Sequence, residues 1–106
     1  MNIAAMMKQA QAMQSKMQDV QARLAATEFT GTAGGGSVSI TLTGKGEARA
    51  VKLDPAVVVA AEKELLEDLI LTAINDARSK SDAATAAEMK AVMGGLNLPP
   101  GLQLPF

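Results

Sequence analysis

The stretch "TAGGGSVSITLTGKGEARAVKLD", Thr32 to Asp54, decides the fold. Gly34, Gly35 and Gly36 open it, and Lys45 sits between Gly44 and Gly46 near its middle. Glycines beside a lysine suggest either a loop that cradles phosphate or the corners of a small sheet. A Walker-type loop needs Gly, four residues, then Gly-Lys-Ser/Thr. Here Ser39 stands five positions before Gly44, and Gly46 follows Lys45. The dinucleotide pattern Gly-x-Gly-x-x-Gly fails as well, because Ser39 stands where its third glycine belongs. No helix start follows the glycines to aim its N-terminus at an anion. Turn chemistry accounts for both clusters. Gly44-Lys45 suits a two-residue type II′ turn, and Gly34–Gly36 supply the positive φ of a first hairpin.

Three strands lie around those corners, at 28–33, 37–43 and 47–53. The middle one alternates strictly, with Val38, Ile40 and Leu42 inward and Ser37, Ser39, Thr41 and Thr43 outward. The first sets Phe29 and Ala33 against Glu28, Thr30 and Thr32. The third places Val51 and Leu53 on one face and Ala48 and Ala50 on the other. A bulge near Arg49–Ala50 reconciles them. The short connections make an antiparallel meander.

On the N-terminal side, residues 2–26 read as one helix. Ile3, Met6, Ala10, Met13, Met17, Val20 and Leu24 fall at alternating steps of three and four, a heptad stripe. On the C-terminal side, Asp54-Pro55 stops the sheet, and Val57-Val58-Val59 opens a helix poorly. The firm helix runs over 60–93, with Leu66, Leu69, Ile70, Ala73, Ile74 and Ala77 on its buried side and a softer stretch at 79–85. Residues 96–106 form a Pro-rich apolar tail without periodicity. The fold class is therefore α+β in the order α-β-β-β-α, one domain over 1–95 with two long helices. Both helices outrun the sheet. The stripe of the first, at Met6, Met13, Met17, Val20 and Leu24, is the expected dimerisation surface.

Composition narrows the function. Among 106 residues there is no Cys and no His. That excludes disulfides, thiolate zinc sites and Cys- or His-based catalysis. No apolar run reaches the ~18–20 residues of a membrane span, and the N-terminus has no export pattern. The chain is expected to be cytoplasmic. Glu62, Glu64, Glu67 and Asp68 lack the spacing of a calcium loop, and Lys63–Glu67 reads as an ordinary helix pair. No catalytic set, cofactor, metal or small-molecule substrate is expected. Residues 1–54 carry six basic and four acidic side chains, residues 55–106 four basic and seven acidic. The basic candidates are Lys8, Lys16 and Arg23 on the first helix, Lys45 at a hairpin tip, and Arg49 and Lys52 on the third strand. Cations of this kind bind phosphate oxygens without reading bases. The lack of Trp and Tyr argues against a stacking platform for single strands.

Four segments carry a wider resemblance: "MMKQAQAMQSKMQDVQARLA", "GTAGGGSVSITLTGKGEARAVKLDP", "LLEDLILTAINDA" and "GGLNLPPGLQLPF". In order and spacing they resemble the YbaB/EbfC family of bacterial nucleoid-associated proteins. The resemblance implies a tweezer-like α-β-β-β-α homodimer whose helices are the arms. It also implies binding to double-stranded DNA with little sequence preference, a place in the nucleoid, and a part in nucleoid organisation and gene regulation. The six basic residues named above are then its DNA-binding candidates. The alternative reading is a protein-interaction module that docks a partner through the Met-rich helix and the C-terminal tail, within DNA repair or replication.

Overall fold

The computed structural model describes residues 2–94. Helix α1 spans Ile3–Ala26 and strand β1 Glu28–Ala33. Strands β2, Val38–Thr43, and β3, Ala48–Leu53, follow, and helix α2 runs from Lys63 to Gly94. The sheet is an antiparallel meander in the order β1-β2-β3. The architecture is α+β, α-β-β-β-α. The tail at 96–106 lies outside the described residues.

The core is one layer of side chains between the sheet and α2. Val38, Ile40 and Leu42 alternate inward from β2, as their spacing dictates, and Ala33 joins them from β1. Ala73 and Ala77 of α2 complete the buried set, flanked by half-buried Leu66, Leu69, Ile70 and Ile74. Small residues set how close the helix comes. Gly31 of β1 lies against the α2 backbone at Ala73 and Ala77, where a Cβ would have no room. The contact falls almost entirely on β1 and β2, and all six residues of β3 are exposed.

The two hairpin corners differ in kind. Gly34, Gly35 and Gly36 take φ of +62°, +69° and +94°. In the second corner the positive φ, +88°, falls on Gly46 rather than Gly44. The turn is therefore not type II′. Thr43 C=O accepts from Gly46 N–H at 2.8 Å, and Thr43 N–H donates to Glu47 C=O at 2.8 Å. A glycine of positive φ after two central residues is the pattern of a three-residue loop. Gly44 is there for a different reason. Its N–H donates to Leu24 C=O at 2.9 Å, and a side chain would collide with Leu24 at the end of α1. Thr43, expected outward, is buried because its hydroxyl accepts the N–H groups of Lys45 (3.3 Å) and Glu47 (3.2 Å) inside the loop.

Thr41 pairs with Ala50 and Leu42 with Ala48, so Arg49 is the extra residue of a bulge. The bulge puts Ala48 on the inward face, with Val51 and Leu53, rather than opposite them. Beyond β3, Asp54 Oδ1 accepts from Ala56 N–H at 3.0 Å, and Pro55–Val57 make one 3-10 turn. Val58 and Val59 leave helical geometry, and a second 3-10 turn at Ala60–Glu62 precedes α2. The α-helix thus starts three residues later than the sequence suggests, because the β-branched valines favour extended backbone. It does not break at 79–85. Thr85 Oγ1 donates to Ser81 C=O at 2.9 Å, so that hydroxyl bonds within the helix instead of opening it.

Candidate nucleic-acid interface

The six basic residues singled out from sequence fall into two groups. Lys8, Lys16 and Arg23 ride on α1, whose residues 2–12 are exposed throughout. Asn2 starts that helix, its Oδ1 accepting from Ala5 N–H at 3.3 Å. Lys45, Arg49 and Lys52 belong to the second hairpin. Lys45 stands at its tip, and Arg49 is the bulged residue. Lys52 pairs with Ser39 on the sheet face that α2 does not cover. That open face also bears Thr30 and Thr41, whose hydroxyls bond to each other at 2.9 Å.

The six are not equivalent. Arg23 pairs with Glu88 of α2, which ties the C-terminal half of α1 to the second helix. Arg49 lies 3.7 Å from Glu47. Among the described residues, Lys8, Lys16, Lys45 and Lys52 have no acidic partner. These four ammonium groups stand in solvent with their charge uncompensated, the state that suits release of counterions onto a polyanion.

The α1 stripe is divided in the same way. Val20 and Leu24 are buried within the chain, Met13 and Met17 are half-buried, and Ile3 and Met6 are exposed. Only the N-terminal part of the stripe therefore faces solvent.

Two shallow concavities border Lys45. One, about 80 Å³, is lined by the Leu42–Gly46 loop with Arg78, Ser81 and Asp82 of α2. The other, about 250 Å³, lies between Gln21, Leu24, Ala25, Thr85 and Met89. Arg78 is a cation that sequence reasoning passed over. On a helix crowded with acids it reads as ordinary solvation, and only the fold brings it beside the hairpin tip. The acidic start of α2 lines a wider open hollow, where Lys63 and Glu67 pair at 3.7 Å. Among the described residues, no group of three or more potential ligands could hold a metal ion. No helix in that range is long and apolar enough to cross a membrane.

Asp76 and Lys80 were also missed, and they sit together. Asp76 accepts the N–H of Thr32 at 3.0 Å, Lys80 donates to the carbonyl of Thr30 at 2.8 Å, and the two side chains are 3.4 Å apart. The Thr32 N–H, helped by Lys80 and opposed by desolvation, holds the Asp76 carboxyl below the usual aspartate range.

Comparison with known proteins adds a family and a fold. The model of the YbaB/EbfC DNA-binding family matches residues 1–96. A nucleoid-associated protein of Granulibacter bethesdensis is 51% identical over 99% of this chain and 98% of its own. One of Paramagnetospirillum magneticum is 54% identical over the same shares. The crystal structure of an uncharacterized protein from Helicobacter pylori shares the fold, with a TM-score of 0.76 at 20% identity, covering 89% of this chain and 99% of that one.

Proposed function

The chain belongs to the YbaB/EbfC DNA-binding family, and from that premise we propose that it binds double-stranded DNA as a homodimer. The contacts go chiefly to phosphates and carry little sequence preference. Its role is then nucleoid organisation and gene regulation, in the cytoplasm and on the nucleoid. The observation that carries this reading beyond the family is the set of lysines without an acidic partner among the described residues. Lys8, Lys16, Lys45 and Lys52 are exposed on a helix, a loop tip and an open strand face rather than gathered in a cleft. Such a set suits an extended anionic rod better than an enclosed small molecule. Arg23 and Arg49 join it only by giving up Glu88 and Glu47.

Binding of a mixed-sequence duplex across a salt series tests the reading. If a dimer neutralises about four phosphates, log K falls with log salt at a slope of about −3.6. Lys16→Ala flattens that slope and weakens all duplexes alike. A duplex affinity that does not change with salt defeats the proposal.

A further inference from the structure

Helix α1 is longer than its cover. Arg23 pairs with Glu88, and Gln21 and Leu24 share a hollow with Thr85 and Met89, so α1 and α2 run antiparallel along one seam. Each step forward on α2 is matched by a step back on α1. Gly94, where α2 ends, therefore lies at about the level of Met17. The turns from Ile3 to Lys16 project past it by about 21 Å at 1.5 Å per residue. The apolar stripe of α1 continues along them. Ile3, 69% exposed, Met6, 55% exposed, and Ala10 extend the line that is buried at Val20 and Leu24.

We propose that residues 96–106 of the same chain lie extended along this stripe and cover it from Met13 toward Ile3. The segment leaves α2 beside the first uncovered turn, so it prolongs an existing seam. Gly94-Gly95 puts no side chain in the way of a change in direction there. Its length is sufficient, because residues 96–106 at about 3.1 Å each reach about 34 Å. Its chemistry matches the stripe. Leu96, Leu98, Leu102, Leu104 and Phe106 are apolar, and no residue in the segment is charged. Pro99, Pro100 and Pro105 rule out a helix and favour an extended backbone. They also remove N–H groups that would need partners against an apolar surface.

A second copy of α1 fits the stripe less well. Ile3 to Met13 amounts to about one and a half heptads, whereas a coiled-coil seam is sustained over about three to four. A segment tethered at Gly94 is present at an effective concentration of about millimolar, without a second chain. The strap also leaves the cations of the arm open. At about 100° per residue Lys8 lies opposite the stripe and Lys16 on its flank. Residues 96–106 then hold the projecting turns helical while both ammonium groups stay in solvent.

The test involves no DNA, so its outcome is separate from that of the functional reading. The chain has no cysteine, so introduced pairs report the contact cleanly. Met6→Cys with Leu98→Cys and, as the wrong-face control, Lys8→Cys with Leu98→Cys are oxidised in the full-length protein at low concentration. The expected result is a disulfide within one chain for the first pair and little for the second, read by non-reducing gels and peptide mass. In cysteine-free protein, Leu98→Asp puts a charge against the stripe. It should speed amide exchange near Met6 by about threefold or more and leave exchange near Leu24 unchanged. Disulfides that join two chains would assign the stripe to a second copy and overturn the strap. Equal linkage of both pairs, linkage of neither, or exchange near Met6 unmoved by Leu98→Asp overturns it as well.

Discussion

β2 and β3 are neighbours in one sheet and have opposite surroundings. Val38, Ile40 and Leu42 of β2 are buried, whereas Val51 and Leu53, directly opposite two of them, stand in solvent. Both strands place apolar residues on the same face. The difference lies overhead. Gly31, Ala73 and Ala77 let α2 settle on β1 and β2, and nothing among the described residues covers β3. A strand's pattern says which side chains share a face, and only the covering layer decides whether that face is dry.

The contrast can be broken most forcefully by truncating each strand. Ile40→Ala should cost about 2–5 kcal/mol in urea unfolding, because it leaves a cavity under α2. Val51→Ala, measured where the chain is monomeric, should cost less than about 1 kcal/mol. Equal losses would mean that β3 is covered after all.

A second test sharpens the contrast between the edges. Folding favours the ionised form of Asp76, so its contribution is complete above the ordinary aspartate range. It fades as pH falls through the lowered value of the folded state. Asp76→Asn should therefore lower the melting temperature at neutral pH, with the difference from the parent chain vanishing in strong acid. A difference that persists at low pH would show that the carboxylate charge does not hold the β1 edge.

The smallest effect concerns the arm. The Arg23–Glu88 pair is exposed, so Arg23→Ala should change stability by no more than about 1 kcal/mol. Glu88→Gln is more telling, because it frees a cation without adding one. If Arg23 then reaches a phosphate, the salt slope steepens by about 0.9 for each contact. An unchanged slope would exclude Arg23 from the interface.

The sequence made the meander legible through the period-two pattern of β2 and the glycine corners, and α2 through its 3.6-residue stripe. What it hid depended on distant partners. Gly44 looked like turn chemistry, yet Leu24 dictates it. Arg23 looked free, and its partner Glu88 is 65 residues away. The α1 stripe is uniform in sequence, so it gave no sign that Val20 and Leu24 are consumed within the chain while Met6 is not. Asp76 and Lys80 drew no notice in the sequence, because the backbone groups they bond, on Thr32 and Thr30, belong to another element. Lys8, Lys16, Lys45 and Lys52 were visible as cations, but their lack of acidic partners among the described residues was not.

The exposed first turns of α1 carry a consequence for cooperativity. Residues 2–12 make no buried contact, and a helix shorter than ~12–15 residues is marginal on its own even with good formers. Their helicity is borrowed, through an unbroken ladder of backbone bonds, from the anchored turns at Val20 and Leu24. Amide protons near Met6 should then exchange by fraying, long before those near Leu24, which await opening of the core. A polyanion laid along Lys8 and Lys16 would slow the first set and leave the second almost unchanged. The arm thus has a melting equilibrium of its own, through which binding can be felt without disturbing the rest of the fold.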